Sequence, residues 1–414
     1  MDFTHWRHSL RQFDVLFLTA LLWFMAKFLR YVFPPLFEPL QGTYQVSTAV
    51  LGAGFTGFML AYAAMQLPSG LLADAYGSIR VITAGALLGG LASLVIAVAA
   101  PLGILLGAMI VIGVGTGAHK TVAVRLLSRQ YPAQTGRALG ILDTIGAIGG
   151  IVAPVAVVVV LAGPRLGSDS WRTLFLVAGM ISIILGILFA HRFSHRPADA
   201  KSATSTESTS RQGLGTYRRL FSQPNFVLFV VVTIIFSFSY NGVVAFLPLY
   251  LGQEIGLPTA TVGLLYSLLF VATFIQLLTG EAGDRFGMIP IIAVTLSIAS
   301  IGLLGLVLVG YSGGLLTTAI LIICIGIGSH GYRPVRGAYL ASIIPHSMTG
   351  GGLGFVRTLL MGAGAIAPLC VGLVAELIGF HIAFWGLTVT MGVAALLVIP
   401  LFYIRSQPET RVIG

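Results

Sequence analysis

Twelve apolar stretches, each long enough to cross a bilayer, succeed one another along 414 residues with little chain left between them. A helix needs about 20 apolar residues to span the hydrocarbon core. The candidates lie at 14–37, 48–73, 79–100, 103–127, 137–164 and 171–191, then at 224–250, 259–280, 287–310, 315–341, 350–378 and 380–404. Only 9% of residues are charged against 57% hydrophobic, and the mean hydropathy is +0.97, which excludes a water-soluble fold. The expectation is an all-α integral membrane protein of twelve transmembrane helices in two six-helix bundles.

The one clearly polar stretch, SHRPADAKSATSTESTSRQGLGTYRR at 194–219, cannot bury a core. It divides the chain into an N-terminal bundle, 1–193, a cytoplasmic linker, 194–219, and a C-terminal bundle, 220–414. Loops rich in Lys and Arg stay cytoplasmic. With the N-terminus inside, the inner segments hold Arg7, Arg11, Arg80, Arg129, Arg137, Arg192, Arg196, Lys201, Arg211, Arg218, Arg219, Arg285, Arg405 and Arg411, while the outer loops hold Arg165 and Arg172. Both termini are therefore expected in the cytoplasm, with the chain in the cell membrane. The net charge of +10 would suggest nucleic acid in a soluble protein, but no basic tract with interleaved aromatics is present. The first apolar segment contains Lys27 and Arg30 and lacks a small-residue cleavage site, so it reads as a retained helix rather than a signal peptide. Cys324 and Cys370 lie inside apolar stretches and read as packing residues.

The two halves repeat one another. QLPSGLLADAYG at 66–77 matches QLLTGEAGDRFG at 276–287, GVGTGAHK at 113–120 matches GIGSHGYR at 326–333, and GILDTIGAIGGIVAP at 140–154 matches GFVRTLLMGAGAIAP at 354–368. Three matches in one order, at nearly constant separation, indicate parallel repeats related by a pseudo-two-fold axis.

These residues resemble the major facilitator superfamily, whose loop between helices 2 and 3 carries G-x-x-x-D-R/K-x-G. Here that pattern is Gly70, Asp74 and Gly77 in the first half and Gly280, Asp284, Arg285 and Gly287 in the second. The resemblance covers essentially the whole chain and implies alternating access between two bundles, with the two Asp turns latching the inward gate. The carboxylate would meet the positive N-terminus of a helix in the opposite bundle; the plain alternative is a helix-linking turn with a solvated Asp. In the first copy Ala75 replaces the basic residue, and Arg80 is the basic residue nearby.

A charge at mid-membrane costs roughly 2.5 to 3.5 kcal/mol on insertion scales, so such residues face a cavity or a partner. Lys27 and Arg30 share a face of helix 1 at i,i+3. Lys120 and Arg333 occupy equivalent positions of the repeat, as do Asp143 and Arg357. Against Lys27, Arg30, Lys120, Arg333, Arg336 and Arg357, the one acid clearly at similar depth is Asp143. The family architecture brings helices 1, 4, 7 and 10 to a central cavity, where Lys27, Arg30, Lys120, Arg333 and Arg336 would converge on an anion. In charge pattern the chain is similar to organic-anion and organophosphate transporters of the family. Helix 7 offers Tyr240 and Asn241 as hydrogen-bonding groups. In the alternatives, Arg125 and Arg336 reach the cytosol along their stems, and Asp143 pairs with Arg357, Arg333 or Arg336.

Ion coupling needs a group that changes charge, and Asp143, His119, His330, Glu38 and Glu376 are the candidates. Asp143 reads as a proton or gate switch, whereas His119 and His330 also fit hydrogen-bonded wall residues. Pro154 and Pro368 fall at matching points of helices 5 and 11. No Walker loop, metal-ligand motif or nucleophile constellation is present, so neither a cofactor nor enzymatic catalysis is expected. The expected function is proton- or ion-coupled symport or antiport of a small, anionic organic solute by a monomer in the lipid bilayer. The rivals are a multidrug exporter and a non-transporting sensor. The drug-antiporter pattern of helix 5, an adjacent Gly-Pro followed by a Gly pair, is absent, since Ala153 precedes Pro154 and Val155 follows it.

Overall fold

A computed structural model of the chain describes residues 3–98, 101–163, 170–193, 222–310, 312–344 and 349–405. The expected linker 194–219 lies outside the described residues. No water in the hydrocarbon core can satisfy a backbone N–H or C=O, so a spanning segment must satisfy its own. The described residues accordingly form helices and no strand.

We number the spans in chain order. Span 1 is Phe3–Tyr31 continuing as Phe33–Tyr44, span 2 Thr48–Ala64 continuing as Gln66–Tyr76, span 3 Ser78–Ala97, span 4 Leu102–Gln130, span 5 Thr135–Ala162 and span 6 Arg172–Phe193. Span 7 is Pro224–Leu249, span 8 Thr259–Val271 followed by Gln276–Phe286, span 9 Met288–Val309, span 10 Gly314–Ile343, span 11 Thr349–Leu377 and span 12 Phe380–Leu396 followed by Ile399–Arg405. Among the described residues ten helices are long and apolar enough to cross a membrane, and counting each bent pair as one span gives twelve.

Those two bends depart from the continuous helices expected at 14–37 and 48–73. Span 1 turns by 43° at Val32 and span 2 by 42° at Met65. Proline has no N–H and clashes with the carbonyl four residues back. Pro34 and Pro35 therefore cannot serve the carbonyls of Arg30 and Tyr31, and Pro68 cannot serve that of Ala64. The repeat partner of Pro68 is Leu278, and there span 8 passes through a short 3-10 turn, Ala272–Ile275, instead.

The chain forms two compact units. One comprises Met1–Ser202 with Leu247–Ser267, the other Ala203–Phe246 with Leu268–Gly414. In the first unit the helix of span 7 gives way to a π-turn at Tyr250–Glu254, and Gly256 takes φ +79°. The returning segment is fastened to spans 1 and 5: Gln253 Nε2 donates to Gln41 Oε1 at 3.2 Å and Ser267 Oγ to the Ile151 carbonyl at 3.3 Å.

Each unit is packed in the same way around its fourth helix. In span 4, Gly117 lies so close to span 2 that a Cβ would stand 2.6 Å from the Tyr62 carbonyl oxygen, and Gly115 meets Gly85 of span 3. In span 10, Gly326 approaches the Leu269 carbonyl of span 8, where a Cβ would stand at 2.8 Å, and Gly328 meets Thr295 and Ala299 of span 9. Small residues let membrane helices approach to backbone contact. Several side-chain hydroxyls find acceptors in their own helices, as when Thr116 Oγ1 donates to the Ile112 carbonyl at 2.7 Å and Thr233 Oγ1 to that of Phe229 at 2.9 Å.

The repeated Asp turns end alike. Gly77 and Gly287 have φ of +89° and +90° with ψ of 148° and 149°, a region that only glycine adopts readily. Gly77→Ala is expected to destabilise the folded protein by about 1–3 kcal/mol, measured as a lowered Tm in detergent. Gly70→Ala, on the same helix and with open space around the added Cβ, is expected to leave the Tm unchanged or raise it.

Candidate functional site

In the first unit the cations gather on aromatic rings. Trp23, Lys27 and Tyr31 follow at intervals of four along span 1 and so share a face. The Lys27 ammonium stands 5.2 Å from the Trp23 ring centroid and 5.4 Å from that of Tyr31. Lys120 of span 4 reaches the same indole at 5.4 Å. Trp23 is stacked on His119, with centroids 5.8 Å apart and planes within 6°. Span 5 approaches the indole at Gly146, where any side chain would collide with the ring. His119 Nε2 is 3.0 Å from the Thr19 carbonyl oxygen, so this imidazole is tied to span 1. Arg30 lies over Tyr31 at 5.5 Å and over Tyr62 of span 2 at 5.2 Å. Such contacts are worth roughly 0.5–1 kcal/mol when exposed and about 2 or more when desolvated.

Asp143 forms an ion pair with Lys120. Arg333, Arg336 and Arg357 are the partners of the alternative reading; this pair joins span 5 to span 4 within one bundle. The lysine side chain is 17% exposed and the carboxylate 61%, so the pair is open on the acid's side. Asp74 forms an ion pair with Arg125 of span 4. Arg125, read above as reaching the cytosol, is half-buried in this pair. Gln66, at the bend of span 2, donates to the Gly117 carbonyl at 2.9 Å and accepts from Thr121 Oγ1 at 2.9 Å. Spans 2 and 4 are thus joined on both sides of Lys120. Arg80 is exposed, and Glu38 is exposed within the second helix of span 1.

The second unit has its own cation and ring set. The Arg333 guanidinium lies 4.8 Å from the centroid of buried Tyr240, and Arg336 lies 5.6 Å from that of Tyr332. The Tyr240 hydroxyl and His330 Nε2 are 3.4 Å apart, and Thr273 Oγ1 is 3.1 Å from His330 Nδ1. The Tyr332 hydroxyl meets Thr233 Oγ1 at 3.0 Å. Pro334 interrupts span 10 between the two arginines and has no N–H for the His330 carbonyl. Asn241 donates to the Ser237 carbonyl at 2.8 Å and packs on Gly364 of span 11. Arg336 is half-buried, whereas Arg357, Asp284 and Glu376 are exposed. Arg285 is also exposed, in an i,i+4 pair with Glu281 at 2.7 Å.

Trp23, Tyr31 and Tyr62 were not among the residues singled out from the sequence. The signal for the first two is an aromatic four residues before and after an intramembrane lysine. Tyr62 has no local signal, because its contact with Arg30 is made between spans.

Comparison with known proteins bears on what such a chain is. Over 254 residues it is 29% identical to a probable sulfoacetate transporter of Cupriavidus necator, an alignment covering 58% of this chain and 56% of that protein. It is 22% identical over 364 residues to a hexuronate transporter of Bacillus subtilis, covering 82% of each. The chain therefore spans little more than half the length of the first of these relatives. In fold it resembles the crystal structure of the nucleoside transporter NupG, with a TM-score of 0.75 at 14% identity over 95% of this chain and 100% of that one. The sequence profile of the Major Facilitator Superfamily matches residues 16–331. The chain belongs to the Major Facilitator Superfamily.

Proposed function

We propose that the protein is a secondary transporter, not an enzyme, that moves a small organic anion across the plasma membrane by alternating access. The observation that carries this reading is the pair of ammonium groups, Lys27 and Lys120, held around the single indole of Trp23. Two like charges near one ring repel, and Asp143 offsets that repulsion at Lys120 in this structure. A solute acid group can take over that role, and Arg30 adds a forked donor set suited to a carboxylate, sulfonate or phosphate. The relatives support this chemistry, since sulfoacetate and hexuronates both bear a carboxylate. In the second unit Arg333 on Tyr240, Arg336, Asn241 and Arg357 are proposed as further solute contacts.

Asp143 is proposed as the coupling group, with a proton as the coupling ion. Its carboxylate is the counter-ion of Lys120 in this structure; a solute acid group takes its place, and protonation of Asp143 frees the lysine to accept it. Asp74 with Arg125 ties the inner part of span 2 to the helix that bears Lys120, so the two move as one piece during gating. Arg80, Asp284 and Arg285 are proposed to act with Asp74 at the inner face. The basic turns are read as cytoplasmic, with both termini on that side and a monomer as the working unit.

Uptake into proteoliposomes tests this reading with sulfoacetate, a hexuronate and a cationic dye as solutes. Lys120→Gln and Arg333→Gln are each expected to lower anion uptake by about tenfold or more, the loss of roughly 1.4 kcal/mol of binding. Dye uptake that survives both substitutions, with no anion flux in the unaltered protein, would overturn the anion reading. Binding without flux under any gradient would point to a sensor instead.

Asp143→Asn is expected to abolish accumulation driven by a pH gradient while counterflow of unlabelled against labelled anion persists; unchanged gradient-driven accumulation would remove Asp143 from coupling. Trp23→Ala is expected to weaken anion affinity by roughly fivefold or more, with Trp23→Phe intermediate, following the cation–π strength of the ring. The readout is the half-saturating anion concentration.

A further inference from the structure

Two apolar grooves on the first unit lie apart from the cation clusters. The first, about 260 Å³ in volume, has residues of spans 2 and 3 on its sides and Val114, Gly115 and Ala118 of span 4 between them. Spans 3 and 4 touch there through glycine, a Cβ on Gly85 standing 2.6 Å from the Gly115 carbonyl oxygen. Span 2 turns by 42° at Met65, at the head of the stretch that supplies Leu72 and Tyr76 to the groove. The lining is almost wholly carbon. Its polar members, Arg80 and Tyr76, flank the Gly77 turn on the basic side of the molecule. From Arg80 to Leu88 the groove follows span 3 for about 12 Å.

Leu72, Leu88 and Tyr76 on its rim are 39%, 40% and 59% exposed, so no segment among the described residues covers it. An apolar channel opening from a helix bundle into hydrocarbon is filled by hydrocarbon, while an arginine and a tyrosine at its mouth fit the headgroup level. The second groove, about 290 Å³, repeats the pattern between spans 1 and 5. Phe17 and Ile141 line it with carbon, and Arg137 and Tyr131 supply the same pair of residue types, again on the basic side.

We propose that the groove at Arg80 is a binding site for one anionic phospholipid of the cytoplasmic leaflet. The phosphate meets the Arg80 guanidinium, whose planar fork matches phosphate oxygens. One acyl chain lies along Leu72, Leu88 and Val114. A zwitterionic choline lipid brings its own cation to the same place and loses that advantage. The groove shares span 4 with Lys120, so its occupant braces the helix that holds the cation cluster. The leaflet assignment rests on the orientation proposed above; the site itself does not depend on the solute.

Native mass spectrometry of the detergent-purified full chain, titrated with phosphatidylglycerol or phosphatidylcholine of identical chains, tests the site. One phosphatidylglycerol is expected to be retained about fivefold more tightly than phosphatidylcholine, the contribution of a single arginine at an anionic surface. Arg80→Gln should remove that preference and Arg80→Lys keep part of it. Val114→Phe, or Leu72→Trp at the rim, should lower retention of both lipids by narrowing the groove. Glycerol phosphate, which has no chains, should not compete. Equal retention of the two lipids, an undiminished preference in Arg80→Gln, or full retention in both groove-narrowing variants would overturn the proposal. The orientation is read separately, by labelling Tyr76→Cys with an impermeant maleimide in intact cells after Cys324 and Cys370 are replaced by Ser. Labelling from outside would reverse the leaflet and leave the detergent binding result standing.

Discussion

A hydrocarbon solvent offers no hydrogen bonds, and each polar group placed in it without a partner costs several kcal/mol. The helices satisfy the backbone, and what remains is decided at the places where they cannot. Pro34, Pro35 and Pro68 remove donors and so fix where spans 1 and 2 bend. Hydroxyls such as those of Thr116, Thr233 and Thr295 return to carbonyls in their own helices. Close packing then falls to glycine, which without a side chain lets one backbone rest on the next, as at Gly115 on Gly85.

The same solvent governs the charges. A lysine or arginine at depth needs either an opposite charge or a polarisable surface, and this chain supplies both side by side. Lys120 has Asp143 and the Trp23 ring; Arg333 has Tyr240. A ring stabilises a cation without neutralising it. The proposed anion would meet such a charge directly, whereas at Lys120 it would first have to replace Asp143. One ionic and several aromatic partners thus share the cations of the two units.

The scaffold was legible in the sequence because its signals are periodic or duplicated. Span lengths follow hydropathy, and the Gly77 and Gly287 turns share both a motif and a backbone conformation within one degree in φ. Pairing was less legible. The repeat aligns Asp143 with Arg357 and so drew attention to the arginines, but alignment reports equivalence between halves, not proximity. The partner in this structure, Lys120, lies on a neighbouring helix of the same bundle. Asp74 and Arg125 show the same limit, since the motif names the acid while the basic residue sits 51 positions on. Trp23 is less legible because an aromatic in an apolar helix carries no mark of its own until the charges around it are placed.

The segment Leu247–Ser267 belongs in space with residues that precede it by a hundred or more positions. The ribosome has therefore finished spans 1 to 6 before the last piece of their unit exists. At roughly 5–20 residues per second, the first bundle waits for seconds with the faces of spans 1 and 5 uncovered, while the second half has already begun to enter the membrane. Assembly of this chain is thus interleaved rather than sequential: the earlier half is completed by the later one.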